Sequence, residues 1–308
     1  MTLFSRKSMQ LIDIRRWSRG AATLALPLTL FFWAWAATAS EGPFWKVTGA
    51  SGSAYLLGSL HFGTAEMYPL SAPVNAAFES ADRLVVEIDL GAMDPAAMLH
   101  WISTEGAYMD GTTLADHVSA EVWATLRQRA QQYGVPLELL AVQRPWLAAF
   151  TLTAMALSRK GFQEDLGVDR HFLSRASGQL PVVELEGFDY QMGLLANLPA
   201  DKQERFLQAT LRDLDAGSGT FEKIIAAWRR GDAAALDAEI NATWRSDPDA
   251  GDLYALLIDN RNAEMADKID TLLKSGGTSF VVVGAAHMVG EGGLARRLEA
   301  RGYRVEKR

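Results

Sequence analysis

Two of the five histidines, His61 and His287, stand three residues after a glycine, in Gly58-Ser59-Leu60-His61 and Gly284-Ala285-Ala286-His287. Each motif follows an apolar run of strand character, Ala54-Tyr55-Leu56-Leu57 in one case and Phe280-Val281-Val282-Val283 in the other. Open α/β sheets bind ligands beyond the carboxyl ends of their strands, and glycine permits backbone angles that other residues resist. Both imidazoles are therefore expected to project into a crevice at the sheet's edge. A single Gly-x-x-His is equally well a loop histidine bonded to a carbonyl; the matched pair is what favours a site. His100, His117 and His171 lack this setting and are assigned to surface or packing roles.

Two further strand-like runs carry carboxylates where apolar residues belong. In Leu84-Val85-Val86-Glu87-Ile88-Asp89 the period of two sets Glu87 and Asp89 on one face, and in Val182-Val183-Glu184-Leu185-Glu186 it does so for Glu184 and Glu186. A carboxylate in a buried strand must be paired, metal-bound or protonated, because desolvating it alone is costly. Asp89 and Glu184 are expected to emerge into solvent, and Glu87 and Glu186 to stay inside. A helical pattern over 253–274 places Arg261 between Leu257 and Met265 on the apolar stripe, with Asn262 at its border. Arginine is seldom buried without a partner, so Arg261 is expected to meet a carboxylate; a snorkelling side chain is the alternative.

The elements that would hold these residues form an α/β (α+β) arrangement. Phe44–Val47 and Ala54–Leu57 read as a hairpin around a Gly/Ser-rich turn. A helix is expected from Ala72 to Ser80, with Ser71 as N-cap and Pro73 in its first turn. The C-terminal part repeats strand, Gly-x-x-His, helix over 294–301 and strand over 303–305. A central mixed sheet built from two such pseudo-repeated units is expected, covered by a mainly helical insertion over about 92–275. That insertion holds one strand-like run, Pro181 to Glu186, and loops at 231–232 and 247–252.

Residues 1–39 have the layout of a secretory signal: Lys7, Arg15, Arg16 and Arg19 precede an uncharged, largely apolar run that ends in Ala37-Thr38-Ala39. Cleavage before Ser40 and a periplasmic or secreted product are expected, with an uncleaved membrane anchor as the alternative. Removing that segment leaves 25 Lys+Arg against 36 Asp+Glu, a net charge of −11. Such a surface argues against nucleic acid as a partner. The absence of cysteine excludes disulfides, thiolate metal sites and a cysteine nucleophile.

Several stretches together resemble the TraB/GumN family, a relative of the TIKI metalloproteases and, more distantly, of erythromycin-esterase-like and haem-binding ChaN proteins. They are Leu56–Gly63 with Met67–Leu70, Ala77–Asp89, Gly167–Ala176, Val182–Met192, Arg261–Ile269 and Phe280–Leu294. The resemblance carries over His61, Glu87, Glu186, Arg261, Asn262 and His287 as site residues. Gly187 stands where the family often has threonine.

The resemblance implies a divalent-metal-dependent hydrolase, peptidase-like by analogy with TIKI. His61, His287 and Glu87 or Glu186 would hold the ion; imidazole and carboxylate together suit manganese, cobalt or zinc. The remaining glutamate would act as general base and Arg261 would steady developing negative charge. Peptide or another small polar molecule is the expected substrate. The alternative is a non-catalytic envelope protein that holds a glycan, a peptide or haem in the same cleft, in association with polysaccharide production. Some of the nine tryptophans would then supply stacking surfaces.

Overall fold

Four consecutive residues of the second Gly-x-x-His strand, Phe280 to Val283, are fully buried, as an uninterrupted β-branched and aromatic run requires when both faces of a strand are covered. That strand sits inside a six-stranded sheet. The computed structural model describes residues 39–214, 219–242 and 251–308. The secretory segment read over 1–39 lies outside the described residues except for Ala39, as does most of the 247–252 loop.

The strands are β1 (Phe44–Thr48), β2 (Gly52–Ser59), β3 (Arg83–Val86), β4 (Val182–Glu184), β5 (Gly277–Gly284) and β6 (Arg304–Lys307), in the spatial order β4-β3-β5-β2-β1-β6. β1 pairs antiparallel with β2 and with β6, whereas β2 with β5, β5 with β3 and β3 with β4 are parallel. The expected mixed α/β sheet is present. The hairpin Phe44–Ser59 turns through Gly49, whose N–H donates to the Gly52 carbonyl at 2.9 Å.

A parallel sheet needs crossover segments on its faces. On one face Phe280 meets Phe78 of the Ala72–Glu79 helix and Phe172 of the Val168–Ala176 helix, at ring separations of 5.4 and 4.7 Å. The Asn260–Ser275 helix buries Met265, Ala266, Ile269 and Leu273 in the same core. Fully buried aliphatic and aromatic side chains of this size contribute about 1.5–3 kcal/mol each, so the sheet's core fixes the strand ends firmly.

The long segment between β3 and β5 builds cores of its own. Leu126, Leu140, Leu152, Leu207 and Leu211 form one, and Trp146, Leu195, Leu198, Leu253 and Leu257 another. Helices over Ala120–Tyr133 and Val168–Ala176 belong to the mainly helical insertion, and Ser119 caps the first by accepting from the Val122 N–H. Four helices among the described residues were not foreseen: Pro95–Glu105, Phe188–Ala196 and the single turns Leu114–His117 and Ala285–Met288. The helix read as continuous over 253–274 contains a π-helical stretch, Ala255–Asp259, immediately before Asn260. No helix among the described residues is long and apolar enough to cross a membrane.

Candidate functional site

The carboxyl ends of the four neighbouring parallel strands each deliver one charged or ionisable side chain to the same place. His61 follows β2, Glu87 follows β3, Glu186 follows β4 and His287 follows β5. The carboxylates lie just past the regular strands, because β3 ends at Val86 and β4 at Glu184 rather than at the positions expected from composition. Pairing continues beyond those ends: the Leu185 N–H donates to the Val86 carbonyl at 2.8 Å, and the Glu186 N–H to the Glu87 carbonyl at 3.0 Å. The two chains therefore leave the sheet side by side, with both glutamate side chains nearly shut off from solvent.

Arg261 holds the two carboxylates together. Its Nη2 donates to Glu87 Oε2 at 2.9 Å and to Glu186 Oε2 at 2.6 Å, and its Nε donates to Glu186 Oε1 at 2.8 Å. Nη1 donates to the Leu257 carbonyl, four residues earlier, at 3.0 Å. Gln191 Nε2 adds donors to Glu87 Oε2 at 2.6 Å and to Glu186 Oε2 at 3.1 Å. Burial works to raise the Glu87 pKa, but His287, His61, Arg261 and the Gly284 N–H together outweigh it and hold the carboxyl down, at about 2. Burial acts against the Arg261 cation as well, and the two glutamates overcome it, raising its pKa. The expected burial of Arg261 against a carboxylate is met twice over.

His287 occupies a one-turn helix, Ala285–Met288, that starts at the end of β5. Its Nδ1 lies 2.6 Å from Asn262 Oδ1, and the Asn262 amide is oriented by donation from Nδ2 to the Gly292 carbonyl at 2.8 Å. Asn262 therefore accepts, His287 carries its proton on Nδ1, and Nε2 keeps a free lone pair. Burial lowers the His287 pKa to about 4, against the pull of Glu87, so the ring is neutral near pH 7.

His61 has the opposite state. Its Nδ1 lies 2.9 Å from Asp169 Oδ2, while Ser59 Oγ donates to Asp169 Oδ1 at 2.6 Å. Asp169 raises the His61 pKa, to about 9, outweighing desolvation. The His61 side chain is 62% exposed and Asp169 only 13%, so an exposed ring rests on a largely buried carboxylate. Water screens that ion pair and reduces what it adds to stability.

Asp169 is carried by a backbone splice. The Gly63 N–H donates to the Gln163 carbonyl at 3.0 Å, the Gln163 N–H to the Gly63 carbonyl at 2.8 Å, and the Val168 N–H to the Leu60 carbonyl at 3.0 Å. A Cβ on Gly167 would stand 2.3 Å from the His61 carbonyl oxygen, so only glycine allows the two segments to meet there.

Gly284 marks where the groups converge. A Cβ placed on it would lie 3.2 Å from Glu87 Oε1, 3.6 Å from His287 Cδ2 and 3.8 Å from His61 Nε2. Its own N–H donates to Glu87 Oε1 at 2.5 Å. Neither Gly58 nor Gly284 has a positive φ, so the reason for glycine in these motifs is close approach and not the backbone freedom expected from sequence.

All six residues read from the sequence, His61, Glu87, Glu186, Arg261, Asn262 and His287, belong to one hydrogen-bonded and electrostatic network. Asp89 and Glu184 lie outside it: Glu184 Oε1 accepts from the Asp89 N–H at 2.6 Å at the surface. His171 packs on Tyr68 and Phe172, and His117 stacks on Tyr108. Asp169, Ser59 and Gln191 were missed as site residues. Asp169 is the second residue of its helix, a position where an acidic side chain is ordinary for electrostatic reasons alone, so it carried no distinct signal.

Among the described residues no three His, Cys, Asp or Glu side chains already form a metal-binding group. Both imidazoles are nonetheless oriented as metal ligands are, each through Nδ1 on a fixed acceptor; His287 already has a free Nε2 lone pair, whereas His61 would expose one only on losing a proton.

The sequence pattern of the TraB/PrgY/gumN family matches residues 43–307. The chain belongs to this family. Its relatives include the uncharacterized protein YbaP of Escherichia coli strain K12, 29% identical over 246 residues that cover 79% of this chain and 87% of YbaP. The YbaP of Shigella flexneri matches to the same extent. An uncharacterized protein of Treponema pallidum strain Nichols is 22% identical over 263 residues, 81% of this chain and 78% of its own. No solved structure matches. The match of this TraB/PrgY/gumN chain runs from before β1 into β6 and so takes in every strand that supplies the site.

Proposed function

We propose that this member of the TraB/PrgY/gumN family is an exported, divalent-metal-dependent hydrolase with peptidase-like activity. The observation that carries the reading is the convergence at Gly284 of two imidazoles, each oriented through Nδ1 and unbonded at Nε2, beside the buried anion of Glu87. Export rests on the basic, then apolar, then small-residue order of residues 1–39.

His61 Nε2, His287 Nε2 and Glu87 Oε1 are the groups that would hold manganese, cobalt or zinc. They suit it by donor type, and the charges suit it too: Glu87 and Glu186 exceed Arg261 by one negative charge, and the His61–Asp169 pair is neutral. A cation bound there would acidify a water and polarise the scissile carbonyl. His61 must give up a proton to take part, whereas His287 is already neutral. Asp169 and Asn262 keep the two rings from turning. Arg261 helps keep Glu87 anionic, holds Glu186 beside it and provides a fixed positive charge for an oxyanion. Glu87, held at about 2, is a permanent anion near pH 7 and a poor proton carrier, so the general-base role goes to the other glutamate, Glu186.

A second reading draws on the same geometry. The two histidine pKa values are pushed in opposite directions, His61 up and His287 down, which is the pattern of an acid and a base that share one substrate. His287 Nε2 would then accept a proton from water and His61 would donate one to the leaving group.

The deciding experiment is elemental analysis of the purified protein, followed by hydrolysis of a mixed peptide pool with and without chelator. Stoichiometric metal and cleavage that is lost with chelator, and lost in His61→Ala, are expected. Cleavage indifferent to chelator moves the proton work to the two histidines. No cleavage and no bound metal overturns the hydrolase and favours the non-catalytic binder of a glycan, peptide or haem.

A further inference from the structure

Beside the buried network lies a groove of about 840 Å³, within the range of sites that enclose a substrate segment. One wall is the Pro95–Glu105 helix and the other runs from Glu186 and Gly187 into the first turn of the Phe188–Ala196 helix. Glu186 belongs both to this groove and to the Arg261 network. Whatever fills the groove reaches the site through that carboxylate.

Three properties define the occupant. Asp89, Asp94, Glu105, Glu184, Glu186 and Asp189 all line the groove, and among the described residues no lysine or arginine does. Three of these carboxylates already have backbone partners: Glu184 accepts from the Asp89 N–H, Asp89 from the Gly91 N–H, and Asp94 caps its helix by accepting from the Ala96 N–H. Trp101, Phe188, Tyr190 and Met98 supply apolar and aromatic surface between the charges, so the groove suits alkyl stems that end in cations.

The third property is the sheet edge. β4 is the outermost strand, and its last residue, Glu184, lines the groove. The Leu84 N–H donates to the Pro181 carbonyl and the Leu185 N–H to the Val86 carbonyl. Alternation along the strand therefore turns the peptide groups of Val182 and Glu184 away from β3. Among the described residues β4 pairs with β3 alone, and an edge of this kind recruits an extended chain as a further strand.

The Pro95–Glu105 helix is held mainly through Trp101, whose ring meets Trp146 and Phe188. None of its residues is buried, and Leu99 is 68% exposed.

We propose that this groove binds an extended peptide segment rich in lysine or arginine, laid as an added strand along Val182–Glu184, with its cationic side chains among the groove carboxylates. The proposal rests on the hydrolase reading for its substrate role, since it names what that site would cut. As a binding site it stands alone.

The test is fluorescence anisotropy of the full chain with a fluorescein-labelled (Lys-Thr)4 peptide and its (Glu-Thr)4 counterpart. The lysine probe binds and the glutamate probe does not. The double variant Glu105→Gln/Asp189→Asn weakens lysine-probe binding on the order of tenfold, as loss of facing charges does. Ala97→Trp, on the helix without buried side chains, blocks the groove and abolishes binding with the circular dichroism spectrum unchanged.

Methylating the backbone nitrogens of alternate residues gives two more probes. Methylation in one register abolishes binding and in the other is tolerated, because only alternate amides face β4. Equal binding of the lysine and glutamate probes, or equal sensitivity to the two methylation registers, overturns the proposal. His61→Ala keeps probe binding while it removes cleavage. Probe binding without cleavage by the native protein supports the groove and removes only the hydrolase.

Discussion

Replacing Arg261 with methionine removes the one cation between two buried carboxylates while keeping much of the side-chain volume. Three hydrogen bonds to charged oxygens disappear, at 2.9, 2.8 and 2.6 Å. Bonds of this kind are worth about 1.5–3 kcal/mol each, but the ions repay only part of their desolvation, so breaking the pair is expected to cost about 3–5 kcal/mol. That is a large share of the roughly 5–15 kcal/mol by which a domain is stable.

Urea denaturation of Arg261→Met, Glu87→Gln, Glu186→Gln and the two doubles at pH 7 reads the cost directly. Each double should be more stable than Arg261→Met alone, because neutralising a carboxylate relieves the uncompensated charge. The deficit of Arg261→Met should also shrink towards pH 4, where the stranded carboxyls take up protons. A loss below about 1 kcal/mol, or strictly additive doubles, would refute the view that Arg261 clamps two anions.

Other outcomes follow from the histidines and the glycine. His287 stays neutral in the native state down to about pH 4, whereas its ordinary value is 6.5. The unfolded chain therefore gains protons first, and about 3 kcal/mol of stability should be lost as the pH falls from 7 to below 4. His287→Gln should show a shallower loss over that window in denaturant midpoints. NMR titration should find the His61 ring still protonated above pH 8, and Asp169→Asn should return it towards 6.5; an unmoved titration would contradict the ion pair. Gly284→Ala drives a methyl to 3.2 Å from Glu87 Oε1 and should cost about 1–3 kcal/mol by thermal melting, together with whatever metal uptake the native protein shows.

The mixed sheet and the site were legible in the sequence to unequal degrees. Runs such as Phe280–Val283 declared buried strands because nothing polar interrupts them. Glu87, Glu186 and Arg261 were conspicuous because a charge in an apolar pattern demands a partner. Asp169 was illegible, since a carboxylate in the first turn of a helix has a local explanation and its contact with His61 is made across a loop splice that no periodicity encodes. The exposed Pro95–Glu105 helix escaped notice for a related reason: it has no buried face, so no apolar stripe marked it. The strand ends were misplaced because apolar alternation continues through Ile88 and Leu185, although regular pairing stops sooner.

The π-helical turn at Ala255–Asp259 changes the azimuth of everything that precedes it relative to everything that follows. Leu253 and Leu257 pack with Trp146 in the helical segment, while Met265 and Ile269 pack under the sheet. One rod thereby serves two interiors that do not share a direction, and the guanidinium clamp sits at the joint between them. Excising a single residue from that wide turn would bring both halves into phase, and the protein would have to choose which interior to keep filled.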